Sequence, residues 1–289
     1  LTKPAIIGIA GPALTRAERE MLRAHRPKGV ILFGRNIQSK PQLSELTASL
    51  RDELPADAMI MVDQEGGRVA RLRAPSWPDL PPAAQLRTPA AAAAHGHLLG
   101  AMVRDAGFNL IAAPVLDLAF PSPSTIIGDR ALGGDPETVA ILGKAMAEAI
   151  LAEGVTPIMK HLPGHGRAQV DSHFSLPRID AGEAELSADF YPFIANNRLP
   201  WAMTAHIVYT ALDPDLPATI SQKVIGRVIR GLIGFEGILV SDDLAMQALS
   251  GAPASRALAA LQAGCDVALY CPGDMAGNLA ILQALPDAA

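Results

Sequence analysis

The sequence predicts an α/β chain folded as a single (β/α)8 TIM barrel, and three observations predict it. Short runs rich in β-branched residues alternate with longer amphipathic runs, eight times over. The first strand is not followed by the Gly-rich phosphate fingerprint that an open doubly wound sheet would carry there. No linker-like change of composition divides the 289 residues, a length that barrels of ~250 residues with loop insertions reach as one unit. Strict alternation implies parallel strands with right-handed crossovers. Residues 1–289 are therefore read as one catalytic-sized domain.

The first unit is a strand over 5–10 and a helix over 15–26, with Thr15 as its N-cap. The second is a strand over 29–33 and a helix over 41–54 opened by Pro41. A third strand over 58–62 leads into a Gly/Pro-rich loop to about residue 87, then a helix over 91–106. The fourth strand spans 109–115 and its helix 136–153; the fifth spans 155–160, with a long loop before a helix over 183–196. Strands over 201–205, 237–241 and 266–270 precede helices over 222–233, 254–263 and 276–285.

Composition narrows the function classes. Hydrophobic residues make up 49% of the chain and aromatics only 4%, so the core is built from Ala, Val, Ile and Leu. A net charge of -5 offers no basic patch for nucleic acid. No apolar run reaches the ~20 residues a membrane helix needs, and no basic-plus-apolar signal opens the chain. A cytoplasmic, monomeric protein with no membrane or nucleic-acid partner is expected. Cys265 and Cys271 read as buried free thiols, two being too few for a disulfide scaffold.

Active sites of this fold lie at the C-terminal strand ends, and the unusual polar residues collect there. Asp63 follows the third strand and Asp117 the fourth. Lys160 and His161 end the fifth, His206 the sixth, and Asp242 and Asp243 the seventh. Asp often caps the helix after a strand, but capping does not explain so many ionisable strand ends together. Three of the seven histidines fall between Lys160-His161-Leu162-Pro163-Gly164-His165-Gly166 and Asp171-Ser172-His173. His161 also reads as a satisfied strand-end residue, and His165 as a ligand of loop backbone. Asp171 and His173 share a face of an extended loop, where Asp171 would orient the imidazole or the pair would simply be solvated. A zinc site from His161, His165, His173, Asp171 and Asp242 is the metal alternative. Its loop-borne ligands and the adjacent Lys160 cation disfavour it, so no metal and no cofactor are expected.

Together these segments resemble the family 3 glycoside hydrolases, and within them the NagZ-type β-N-acetylglucosaminidases. The matching pieces are Val62-Asp63-Gln64-Glu65-Gly66-Gly67-Arg68-Val69-Ala70-Arg71, Gly128-Asp129-Arg130, the Lys160 to Gly166 and Asp171-Ser172-His173 segments above, and Ser241-Asp242-Asp243-Leu244-Ala245-Met246, with Ala263-Gly264-Cys265-Asp266 a weaker match. Leu162 replaces the family's usual Phe, apolar for apolar. The end at Ala289, without the further C-terminal domain of many relatives, fits the single-domain type. The resemblance implies a retaining exo-β-N-acetylglucosaminidase. Asp242 would be the nucleophile and His173 the general acid and then base, with Asp171 as its partner. Asp63, Arg71, Arg130, Lys160 and His161 would hold the sugar, with Met246 lining the pocket. The implied substrate is GlcNAc linked β-1,4 to 1,6-anhydro-N-acetylmuramic acid, with or without peptide, from cell-wall recycling.

The chemistry agrees. An oxocarbenium-like transition state needs an anion at one face of the anomeric carbon and a proton donor at the leaving oxygen. A histidine of ordinary pKa ~6.5 serves as that donor near neutrality. A glycoside phosphorylase is an alternative, since a histidine does not repel phosphate as a carboxylate would. An exo-β-glucosidase is another. A non-catalytic sugar-binding protein is the alternative of a different class; Asp242 together with the Asp171/His173 pair argues against it.

Overall fold

In a computed structural model, described over residues 1–121, 126–170 and 175–288, eight parallel strands close into a barrel. They are β1 (Lys3–Gly8), β2 (Pro27–Leu32), β3 (Met59–Val62), β4 (Leu110–Ile111), β5 (Thr156–Leu162), β6 (Trp201–Thr204), β7 (Ile238–Asp243) and β8 (Val267–Tyr270). Each pairs with its successor in sequence, and β8 pairs back with β1. The helices are α1 (Arg16–His25), α2 (Lys40–Glu53), α3 (Pro89–Asp105), α4 (Pro136–Ala152), α5 (Glu183–Ala195), α6 (Val224–Leu232), α7 (Pro253–Ala263) and α8 (Met275–Ala284). The (β/α)8 barrel expected from the alternation is thus the observed fold.

Local chemistry starts these helices where the sequence marks them. Thr15 caps α1, and Glu18 reaches back to the Thr15 N–H at 2.8 Å, completing a capping box. Ser39 caps α2, Thr88 caps α3 and Asp135 caps α4, each followed by Pro in the first turn. Side-chain alternation then sorts the strand residues. Ile6, Ile31, Met61, Ile158, Val240 and Leu269 fill the barrel interior. Their neighbours Ile7, Leu32, Ile60, Met159, Leu239 and Ala268 pack outward against the helices. Cys265 and Cys271 are buried free thiols.

Two strands carry an extra residue where the alternation would misplace the chemistry. Along β5 and β6 the register runs from Met159–Ala202 to Leu162–Thr204, three steps against two. Along β7 and β8 it runs from Val240–Val267 to Asp243–Leu269, again three against two. Consecutive residues of a regular strand face opposite sides, so Lys160 and His161 could not both face one cavity. A bulge at each place re-aims one side chain. As a result Lys160 with His161, and Asp242 with Asp243, line the same pocket.

Three local features differ from the sequence expectation. The strand expected over 109–115 pairs only at Leu110–Ile111 and resumes as a single bridge from Val115 to Lys160. Pro114, lacking an N–H, cannot continue the ladder between them. A short parallel pair, Arg178–Ile179 with Val208–Tyr209, lies outside the barrel and ties the loops after β5 and β6 together. In α6 the backbone bonds reach one residue further than in an α-helix, Ile233 N–H to Val228 O at 2.8 Å.

Candidate active site

The C-terminal mouth of the barrel holds a cavity of about 130 Å³ lined by Asp63, Arg71, Arg130, Lys160, His161, His165, Asp242, Asp243 and Met246, over an apolar floor that includes Met61, Met203 and Leu269. A wider groove of about 750 Å³ at the opposite end of the strands has only Arg230, Glu236 and Asp266 as charged lining. Converging ionisable groups, rather than size, single out the first.

Its electrostatic frame is a five-residue ion network. Lys160 Nζ lies 2.7 Å from Asp63 Oδ1 and 2.7 Å from Glu65 Oε1. Arg130 grips Glu65 through two bonds, Nη2 to Oε1 at 2.7 Å and Nε to Oε2 at 2.9 Å. Arg71 Nη2 donates to Asp63 Oδ2 at 3.1 Å and its guanidinium lies over the Phe33 ring, 5.2 Å from the centroid. Burial would raise the Glu65 carboxyl, but Lys160 and Arg130 hold it far below the usual range. Burial would likewise lower the Lys160 ammonium; Asp63 and Glu65 raise it instead, so the lysine stays charged.

The loop carrying this network is shaped by its own residues. Gln64 Oε1 accepts the N–H groups of Arg71 and Leu72, folding the segment back. Gly66 has φ +100, and a Cβ there would sit 2.5 Å from Pro81 O. His95, on α3, bonds Glu65 O through Nε2 at 2.9 Å.

Beneath His161 lies Asp117, fully buried. Its Oδ2 accepts from His161 Nδ1 at 2.7 Å, and Oδ1 accepts the main-chain N–H of His161 and of His165 at 3.2 and 2.7 Å. The carboxylate can only accept, so Nδ1 carries a proton and Nε2 is the ring nitrogen left for a ligand. Against burial, His161 and the bound N–H groups keep Asp117 below the usual carboxylate range. His165 stacks edge-on against His161, ring centroids 5.4 Å apart. Its Nδ1 is buried with no hydrogen-bond partner among the described residues. Desolvation, with His161 alongside, pushes its imidazole down to about 4.

Asp242 and Asp243 divide two tasks. Asp242, which lines the cavity, accepts the Asp243 N–H on Oδ1 at 2.8 Å, and its Oδ2 has no hydrogen-bond partner among the described residues. Burial raises the Asp242 carboxyl, but the neighbouring His206 and His161, the Asp243 N–H and Lys160 outweigh it and keep the group below its ordinary value. Asp243 Oδ1 is taken up by the N–H groups of Ala245 and Cys271 at 3.0 and 3.1 Å, and burial raises its carboxyl. Asp243 thus has its Oδ1 committed to backbone N–H groups. Among the described residues no group of three or more His, Cys, Asp or Glu has the geometry to hold a metal.

The barrel brings Asp63, Arg71, Arg130, Lys160, His161, Asp242 and Met246 to one cavity. Asp171 and His173 lie outside the described residues. Glu65 and Asp117, the two buried carboxylates that hold the basic side chains, were not among the candidate site residues. Asp117 stood among the strand-end polar residues and Glu65 inside the Asp63 segment, so both carried a signal. Their partners lie 44 or more positions away, and only folding reveals them.

Comparison with known proteins agrees with the geometry. Residues 4–289 match the family described as glycosyl hydrolase family 3 N terminal domain. A beta-hexosaminidase of Alkalilimnicola ehrlichii is 42% identical over 301 residues, spanning 99% of this chain and 85% of that protein. One from Xanthomonas oryzae pv. oryzae is 40% identical, covering 96% of this chain and 86% of its own length. The crystal structure of NagZ from Neisseria gonorrhoeae in complex with N-trifluoroacetyl-D-glucosamine superimposes with a TM-score of 0.91 at 34% identity, covering 99% of this chain and 87% of that one. A family 3 β-N-acetylglucosaminidase from Paenibacillus sp. gives 0.90 at 32% identity, with 98% of this chain but 56% of that one. The chain belongs to glycosyl hydrolase family 3, and it is a glycoside hydrolase of the β-hexosaminidase type.

Proposed function

We propose that the protein is a retaining exo-β-N-acetylglucosaminidase in which Asp242 forms a covalent glycosyl-enzyme. The observation that carries this reading is the Asp242 carboxylate, kept ionised at the bulged end of β7 with one oxygen free, in the cavity that also holds Lys160 and His161. An anion so placed suits attack on an anomeric carbon. Lys160 has three N–H groups and directs two at Asp63 and Glu65, leaving one for a sugar hydroxyl. His161 Nε2, Arg71, Arg130 and Asp63 supply the other polar contacts of the ring, and Met246 part of the apolar wall. His173, oriented by Asp171, is proposed as the acid that protonates the leaving oxygen and the base that then activates water.

The substrate is read as GlcNAc β-1,4-linked to 1,6-anhydro-N-acetylmuramic acid, with or without peptide, cleaved in the cytoplasm during cell-wall recycling by residues 1–289 acting as one monomeric catalytic domain. The Neisseria NagZ complex, which holds a 2-acylamino sugar, supports the preference for the acetamido group. The test is turnover of aryl β-GlcNAc against aryl β-glucose, with and without phosphate, followed by peptide mapping after a 2-fluoro sugar inactivator. Preferred GlcNAc release to water and a label on Asp242 are expected. A label on Asp243 would overturn the nucleophile assignment, and sugar 1-phosphate as the main product would make the protein a phosphorylase.

A further inference from the structure

The bulge that turns Asp242 into the cavity also takes backbone groups out of the barrel ladder. The last register pair between β6 and β7 is Met203 with Val240. Beyond it, Asp242 N–H and Asp243 C=O have no strand partner on that side. Side chains take them up. Asp242 N–H donates to Thr204 Oγ1 at 3.3 Å, and Thr204 Oγ1 lies 2.8 Å from Thr219 Oγ1. Thr219 Oγ1 lies 2.7 Å from His206 Nδ1, and His206 Nε2 lies 2.9 Å from Asp243 O. Thr204, Thr219 and His206 are all fully buried.

The directions of these bonds follow from donor counting. A carbonyl oxygen only accepts, so His206 Nε2 carries a proton. Burial favours the neutral imidazole, whose bare Nδ1 must then accept the Thr219 hydroxyl proton. The Thr219 oxygen in turn accepts from the Thr204 hydroxyl, and the Thr204 oxygen from Asp242 N–H. Every group is used once, in one sense, and the circuit starts on Asp242 and ends on Asp243, at the bulged end of β7. A second arrangement is built in: Ala205 O lies 3.1 Å from Thr219 Oγ1, so the Thr219 proton has another acceptor if Nδ1 becomes protonated.

We propose that His206, Thr219 and Thr204 are positioning residues that hold the bulged end of β7, and through it the reactive oxygen of Asp242, in the geometry for attack. None of them lines the cavity or needs to touch the sugar. This inference rests on Asp242 being the nucleophile, and the experiment separates the two. Wild-type protein is first inactivated with the 2-fluoro sugar and the labelled peptide mapped. The saturating inactivation rate and the inhibition constant of free GlcNAc are then measured for Thr219→Val, Thr219→Ser, His206→Phe and His206→Gln.

A displacement of the nucleophile by about 1 Å costs on the order of 100-fold in rate. Thr219→Val and His206→Phe should therefore lower the saturating inactivation rate by about 10- to 100-fold, with GlcNAc inhibition nearly unchanged. Thr219→Ser, which keeps the hydroxyl, should recover most of the rate. His206→Gln, which keeps an N–H for Asp243 O, should fall between. If Thr219→Val does not fold, Thr204→Val and Thr204→Ser put the same question at the next hydroxyl. A label on Asp242 with an unchanged rate in the valine variant overturns the positioning role alone. So does a parallel loss of GlcNAc binding, or a serine variant no better than valine. A wild-type label elsewhere overturns the nucleophile reading, and this inference with it.

Discussion

Lys160 and His165 are both almost wholly buried beside His161, yet burial acts on them in opposite ways. Lys160 has two carboxylates in contact and stays charged; His165 has an Nδ1 without a partner among the described residues and is driven neutral. Lys160→Ala should lower kcat/KM by about 10- to 100-fold, the ~1.5–3 kcal/mol of a hydrogen bond to a charged group. Glu65 keeps Arg130 and Asp63 keeps Arg71, so the fold should survive the change; steady-state kinetics and a melting curve check both parts. For His165 the sign follows from linkage. Its folded value of about 4 lies below the unfolded 6.5, so the unfolded chain binds more protons between the two. Stability should be complete above pH 6.5 and fall progressively toward pH 4, by on the order of 3 kcal/mol from this residue. Denaturant melts of wild type and His165→Gln across that window test it; equal pH slopes would refute the assignment. Asp242, held below the ordinary range, should remain a carboxylate throughout the same window.

At the scale of elements, α3 and α4 pack closely enough that glycine decides the approach. A Cβ on Gly96 would lie 2.4 Å from Met146 O and 2.9 Å from Ala149 Cβ. Gly226, in α6, has nothing within 4 Å of the same position. Alanine should therefore act in opposite directions at the two sites. Gly96→Ala gains helix propensity but forces the helices apart, for a net loss of about 1–3 kcal/mol. Gly226→Ala should gain up to about 1 kcal/mol. Denaturant midpoints compare them, and a stabilised Gly96→Ala would mean that α4 gives way freely. The helices were legible in the sequence because their marks are local: Thr15, Ser39, Thr88 and Asp135 cap helices within a residue or two of the expected starts. The bulges in β5 and β7 were not, because a bulge is defined by the register of two strands and neither alone records it.

For the whole molecule, the barrel gathers side chains from or just after seven strands, β2 to β8, around one cavity, and the proposed mechanism adds the Asp171/His173 pair to them. If His173 acts twice, its loss should divide substrates by leaving group. An activated aryl group needs little protonation, so His173→Ala should still cleave aryl β-GlcNAc and then stall at hydrolysis of the glycosyl-enzyme. A burst of aryl release before a slow steady rate is expected. A sugar leaving group should lose its first step and give no burst. Asp171→Ala should reproduce both effects more mildly. Stopped-flow release on both substrates is the measurement, and an equal fall on all leaving groups without a burst would remove His173 from the acid/base role.

What the sequence alone determined is whatever rests on local pattern. Strand–helix alternation carried the barrel, strand ends marked Asp63, Lys160, His161 and Asp242, and adjacent motif residues carried the family. The tertiary structure decided what depends on partners far along the chain. It set Glu65 between Lys160 and Arg130, Asp117 beneath His161, and the Thr204–Thr219–His206 circuit around the bulge at Asp242. The physical reason is that a buried polar group is defined by what it pairs with. A sequence records which groups a residue carries, while burial and pairing arise only when the barrel closes.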